Sequence, residues 1–157
     1  MKKERTIEFI NDGMNCSVID DIAILTISGN IFDYLLNIEL DNEMLEWFDV
    51  IEDSKLKGVL FLCEKGSFCE ANYAKFLSEV TGVEITPDKP VEVSKFVKTN
   101  ARALQINMII NFICKSTNLR KVVITAMQGD IVTPFFGTSL ASDFRFVDEK
   151  TVFRLTH

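Results

Sequence analysis

Side chains able to do acid–base or nucleophilic chemistry are few in this sequence. The one histidine is His157, and the four cysteines, Cys16, Cys63, Cys69 and Cys114, are scattered with no Cys-x-x-Cys pair. That excludes most zinc sites, zinc ribbons and thioredoxin-type redox motifs, so no metal and no bound cofactor is expected. One nucleophile–base pair can be drawn, Cys69 with His157, in which the imidazole would raise the thiolate fraction. A plainer reading stands beside it: Cys69 is a small buried hydrophobe and His157 a frayed terminal residue. The start Met1-Lys2-Lys3-Glu4-Arg5 leads into no apolar signal core, and the cysteines form no framework. Both point to four buried, reduced thiols and a cytoplasmic location.

The chain has 157 residues, 47% of them hydrophobic, including 13 Phe, which suffices for one domain with a sizeable core. With 7 Gly and 3 Pro it is neither collagen-like nor linker-rich. The charge balance, 17 Lys+Arg against 23 Asp+Glu for a net of −6, argues against nucleic acid or an anionic membrane as partner. The longest apolar stretch, Ile106 to Ile113, is too short to span a bilayer.

Three short apolar runs read as buried strands: Ile22 to Ile27, Gly58 to Cys63 and Val122 to Met127. Runs apolar on successive residues suit a sheet covered on both faces. Between them the spacing changes to three and four. Ile38, Leu40, Met44, Leu45, Trp47, Phe48 and Ile51 predict an amphipathic helix from Asn37. A further helix is expected over Ala71 to Val80, then a loop over Thr81 to Val93. A long helix over Ser94 to Ser116 carries Phe96, Val97, Ala101, Leu104, Met108, Ile109, Phe112 and Ile113 on its stripe. A short helix over Pro134 to Ser142 should take Thr133 as N-cap and Pro134 as its first residue, before a fourth strand over Phe144 to Val147. Strand alternating with helix is an α/β pattern with right-handed crossovers.

Three blocks resemble the crotonase superfamily, the enoyl-CoA hydratase/isomerase family. IAILTISGNIFDYLLNIEL is similar to that family's strand, its N-R-P-x-x-x-N-A-L-N loop and its first helix, with Ser28 at the first Asn, Leu35 at the Ala and Asn37 at the last Asn. GVLFLCEKGSFCEANYAKFL is similar to the strand and turn ending in A-G-A-D-L. KVVITAMQGDIVTPFFGTSLASDFRFVDEKTVFRLTH parallels the family's G-G-G block and its later P-E pair, without gaps. The blocks cover about half of the chain, in the family's order.

The resemblance implies an α/β fold over 1–157, a crotonase-like (ClpP/crotonase) spiral of ββα turns, without the C-terminal lid and trimerisation helices. It also implies an acyl-CoA thioester as ligand and a trimer-based homo-oligomer. In the family two backbone N–H groups bind the thioester oxygen. The first position here is Asn72, following Ala71; the second falls on Pro134, which has no N–H. Losing one such donor costs about 2.7–4 kcal/mol of transition-state stabilisation. The family's two hydratase carboxylates fall on Gly137 and His157. General acid–base groups contribute about 10²–10⁴-fold each, so hydration is not expected. Phe135 and Phe136 replace small glycines and either fill the acyl pocket or line it. Glu70 and Asp130 flank the two loops, as cleft carboxylates or as solvated turn residues, and Tyr73 replaces the family's Asp. The expected function is an acyl-CoA-handling relative of the hydratases with altered chemistry. The alternative is a non-catalytic homologue that pairs with an active subunit or with itself.

Overall fold

Strands β3 (Ile22–Ile27), β4 (Gly58–Cys63) and β5 (Val122–Met127) form at the three apolar runs and pair in parallel, with Leu25 beside Phe61 and Phe61 beside Thr125. The computed structural model describes residues 6–11, 13–29, 31–34, 36–82, 84 and 99–154. Strand β7 (Phe144–Val147) extends the sheet in parallel beyond β5. On the opposite side, β2 (Met14–Ile19) lies antiparallel to β3 and β1 (Phe9–Ile10) antiparallel to β2, giving the order β1-β2-β3-β4-β5-β7. The β2–β3 hairpin turns on Asp20 and Asp21, both left-handed, with φ 47° and 66°. Strands β6 (Asp130–Val132) and β8 (Val152–Arg154) form a separate parallel pair.

Burial alternates along the central strands. Ala23, Leu25, Ile27, Val59, Phe61, Cys63, Val123 and Met127 are buried on one face, while Ile24, Leu60, Leu62 and Ile124 on the other are only half-buried. The expectation of two covered faces is therefore corrected: among the described residues one face is closed. Continuous apolar sequence reports which residues tolerate burial, and the covering layer is a separate matter.

The closed face carries the helices. Helix α2 (Ile38–Asp53) begins where Asn37 Oδ1 accepts from Glu39 N at 3.0 Å and Leu40 N at 3.3 Å, and it buries Met44, Trp47, Phe48 and Ile51. The Trp47 indole nitrogen donates to Ile7 O at 3.0 Å, tying the N-terminal segment to this helix. The short α1 (Ile31–Tyr34) precedes it. Helix α3 (Glu70–Thr81) ends at Gly82 in the left-handed conformation, φ 66°, which a glycine adopts without strain.

Helix α4 (Asn100–Asn118) packs against α2. Its N-terminus is fixed by Thr99, whose hydroxyl accepts from Arg102 N at 3.2 Å. Residues 83 and 85–98, which hold most of the expected loop and the start of the expected helix, lie outside the described residues. The face that α4 buries is Gln105, Met108 and Ser116, whereas Ile106 and Ile110 are exposed. No helix among the described residues is long and apolar enough to cross a membrane.

Helix α5 (Thr133–Ser139) differs from expectation at both ends. Its N-cap is Val132, so Thr133 is the first helical residue and Pro134 the second. The Thr133 hydroxyl donates to Arg154 O at 3.1 Å and is thereby committed to β8 instead of capping the helix. The helix stops at Ser139 because Asp143 is drawn onto the sheet: its N–H donates to Val123 O at 2.9 Å and its carboxylate accepts from Val123 N at 2.8 Å. The expected burial of four thiols is also corrected. Cys16 and Cys63 are buried, Cys69 at the start of α3 is half-buried, and Cys114 on the outer side of α4 is exposed.

Candidate functional site

Parallel strands β4 and β5 end side by side, so the loops after them share one end of the sheet, with the helices α3 and α5 starting there. Ligand sites of open α/β sheets gather at this end. Gly129 in the second loop has φ 81°, which favours glycine, and a Cβ there would stand 3.1 Å from Lys65 Cγ in the first loop, so the two turns pack closely. Val132 N donates to Phe68 O at 3.0 Å, and Ser67 Oγ donates to Ile27 O at 3.2 Å, fastening both loops to the sheet.

Asn72 is the third residue of α3, and the first N–H groups of a helix have no intrahelical acceptor. Its side chain is used locally, donating from Nδ2 to Gly66 O at 2.9 Å and closing the turn that presents the backbone. Ala71 beside it is exposed. From helix α5 the Phe135 ring lies flat on Phe68, with centroids 3.6 Å apart and planes 11° from parallel. Both rings are buried. The row continues inward from Phe68 to Phe32 at 5.9 Å and from Phe32 to Tyr73 at 5.2 Å. At Gly137 the space a side chain would enter is open, with nothing within 4 Å of a Cβ built there.

Glu70 and Asp130 do come together, through a third residue. Arg154 Nε lies 3.4 Å from Glu70 Oε2, and its Nη2 lies 3.3 Å from Asp130 Oδ2. Each carboxylate is thus an acceptor in a half-exposed ion pair. Arg154 carries no signal of this in the sequence, since it sits in a three-residue strand. Leu35 and His157 lie outside the described residues, as do the side chains of Pro134 and Phe136. The Cys69–His157 pair therefore falls outside the described residues. Burial pushes the Cys16 thiol up to about 11 and the Cys63 thiol up to about 12, so both are protonated near neutrality and unsuited to attack. Among the described residues no group of His, Cys, Asp and Glu could hold a metal ion.

Sequence reasoning missed Gln105, which is fully buried in α4 next to Arg102 and Tyr73. Its one signal was a polar residue three before Met108 and seven before Phe112, on the helix's inner stripe. Its Oε1 accepts from Arg102 Nη1, and its amide lies against the Tyr73 phenol.

No family model matches the chain, and no curated protein sequence matches it. Solved structures do. A HypX variant from Aquifex aeolicus superposes with a TM-score of 0.64 at 15% identity, over 94% of this chain and 23% of HypX. An enoyl-CoA hydratase/carnitine racemase from Magnetospirillum magneticum gives 0.59 at 14% identity, over 92% of this chain and 49% of that one. An enoyl-CoA hydratase from Thermoplasma volcanium gives 0.59 at 10% identity, over 89% and 50%. The fold is the crotonase fold. This crotonase-fold chain spans about half the length of the two hydratase-type structures and about a quarter of HypX. At such identities the likeness carries the fold alone.

Proposed function

We propose that this crotonase-fold chain binds acyl-CoA-type thioesters at the β4/β5 loop end and does not hydrate them. The observation that carries the reading is the Phe68–Phe135 stack at 3.6 Å, standing between helix α3, which presents Asn72, and helix α5, which carries Pro134. Two stacked, buried rings add packing energy to the fold and occupy the approach that small residues keep open in the hydratase pattern. On the helix side, Pro134 cannot donate the second N–H, and Gly137 leaves room for a carboxylate without supplying one. What remains is a single backbone donor position, Asn72, able to hold a carbonyl oxygen but poorly equipped to stabilise an oxyanion.

Calorimetric titration with acetyl-CoA and crotonyl-CoA, followed by a crotonyl-CoA hydration assay, tests this. The expected result is binding without turnover. Hydration at ordinary hydratase rates would overturn the second half of the proposal, and no binding of either thioester at millimolar concentration would overturn the first.

A second reading, a non-catalytic subunit that pairs with an active crotonase or with itself, is favoured by exposed apolar residues on β7 and on β8. Phe144, Phe146, Val147, Val152 and Phe153 are all exposed there.

A further inference from the structure

A cavity of about 340 Å³ lies between the β1–β2 hairpin and helix α2, at the edge of the sheet opposite β7. Its wall is made by Phe9, Met14, Tyr34, Leu40, Met44 and Trp47. The aromatic part of this wall is set by packing. At Gly13, in the β1–β2 turn, a Cβ would stand 2.9 Å from Cδ2 and Cε2 of Tyr34, so the glycine makes room for the ring. Two polar groups of the wall are used locally: Trp47 Nε1 donates to Ile7 O, and Asn11 Oδ1 accepts from Met14 N at 2.9 Å. What the wall presents is ring and thioether surface.

The charges around the cavity have one sign. Among the described residues that line it, Glu43 and Glu46 are the charged ones, and no Lys or Arg is present. Both belong to α2, where Glu39, Asp41, Glu43, Glu46, Asp49, Glu52 and Asp53 occur without a single base, against a net of −6 for the whole chain. Asp49 is neutralised by Lys115 and Glu52 by Arg120. Glu43 is exposed and makes no ion pair among the described residues.

Aromatic faces attract cations, and carboxylates at the mouth add to that attraction, so the elements of the cavity agree on the sign of a ligand. A bare metal ion is a poor fit, because it needs a shell of oxygen ligands and the wall is apolar. The volume falls at the small end of the ~300–1,000 Å³ typical of ligand pockets and has room for on the order of ten non-hydrogen atoms.

We propose that this cavity binds a small organic ammonium ion, with its apolar body against Trp47, Tyr34 and Met44 and its charged head at Glu43. No residue of the loops after β4 and β5 lines it, so the site is separate from the thioester reading and is tested separately.

Trp47 is the one tryptophan of the chain, so its emission reports on the cavity directly. The full chain is titrated with hexylamine, hexan-1-ol and hexanoate, which share an apolar body and differ in the head group, with affinities taken from calorimetry. Hexylamine, charged near neutrality as ordinary amines are, should shift the Trp47 emission and bind at least about tenfold more tightly than hexan-1-ol, with hexanoate weakest. Added salt should weaken the amine and leave the alcohol unchanged. Glu43→Gln, at an exposed position where folding is not at stake, should cut the preference for the amine to about threefold or less without changing the affinity for hexan-1-ol. Equal binding of amine and alcohol, no binding of hexylamine at millimolar concentration, or a preference unchanged by Glu43→Gln would overturn the proposal.

Discussion

Gly137 and Pro134 sit three residues apart on one short helix and depart from the hydratase pattern in different ways. At Gly137 the backbone is helical and the space beyond it open. Gly137→Ala should therefore be tolerated and should raise stability by about 0.5–1 kcal/mol, the usual difference between these residues in a helix, read as a higher urea midpoint. Gly137→Glu should also fold, because the position has room for a longer side chain. It should not restore crotonyl-CoA hydration, since Pro134 still lacks an N–H and the Phe135 ring still lies on Phe68. Hydration by this single variant at hydratase rates would show that the cleft is open.

The thiols give a second residue-scale prediction. Cys69 and Cys114 should react with an aromatic disulfide reagent in the native protein, and Cys16 and Cys63 only after unfolding. Both buried thiols have folded pKa values above the ordinary 9.0, at about 11 and about 12. Above the unfolded value the unfolded chain loses these protons and the folded chain keeps them. The stabilisation is therefore complete below pH 9.0 and is lost as pH rises towards 11 and 12. Urea midpoints should fall across that window and fall less steeply in Cys63→Ala.

At the scale of elements, legibility followed burial pattern and length. The strands β3, β4 and β5 and the helix α2 were readable because each has six or more residues with a clean apolar pattern. Strand β2 was missed although Met14, Cys16 and Val18 alternate with Asn15 and Ser17 as a half-buried strand should; its turn is Asp20-Asp21, where Asn-Gly is the usual signal for two left-handed residues. Strands β6 and β8 have three residues each, too few for a period to show. Helix α5 was located correctly, yet its ends were set by partners distant in sequence, Arg154 O for Thr133 and Val123 for Asp143. The candidate site divides in the same way. Asn72, Phe135 and Gly137 were legible because they fall within contiguous blocks. Arg154 between Glu70 and Asp130, and Gln105 beside Tyr73, depend on contacts that no local pattern encodes.

For the whole molecule the decisive feature is the open side of the sheet. Among the described residues β7 is the outermost strand, and Phe144 is 57% and Phe146 61% exposed. These two share a face with the half-buried Ile24, Leu60 and Ile124, which places the strip at the rim of an incompletely covered apolar layer. An apolar edge strand with free backbone groups is a template for pairing with another chain. A net charge of −6 opposes association at long range but is screened within about 10 Å at 0.1 M salt, leaving the strip to decide what happens at contact. The chain on its own should therefore self-associate in a concentration- and salt-dependent way, seen by light scattering coupled to size exclusion. Phe146→Lys should suppress this, because a lysine on an open edge resists pairing. Its effect on stability should stay within about 0.5 kcal/mol, as expected for an exposed position. A monodisperse monomer at high concentration in the unsubstituted chain would mean that the strip is covered by the chain itself. Association that persists in Phe146→Lys would move the contact to another face.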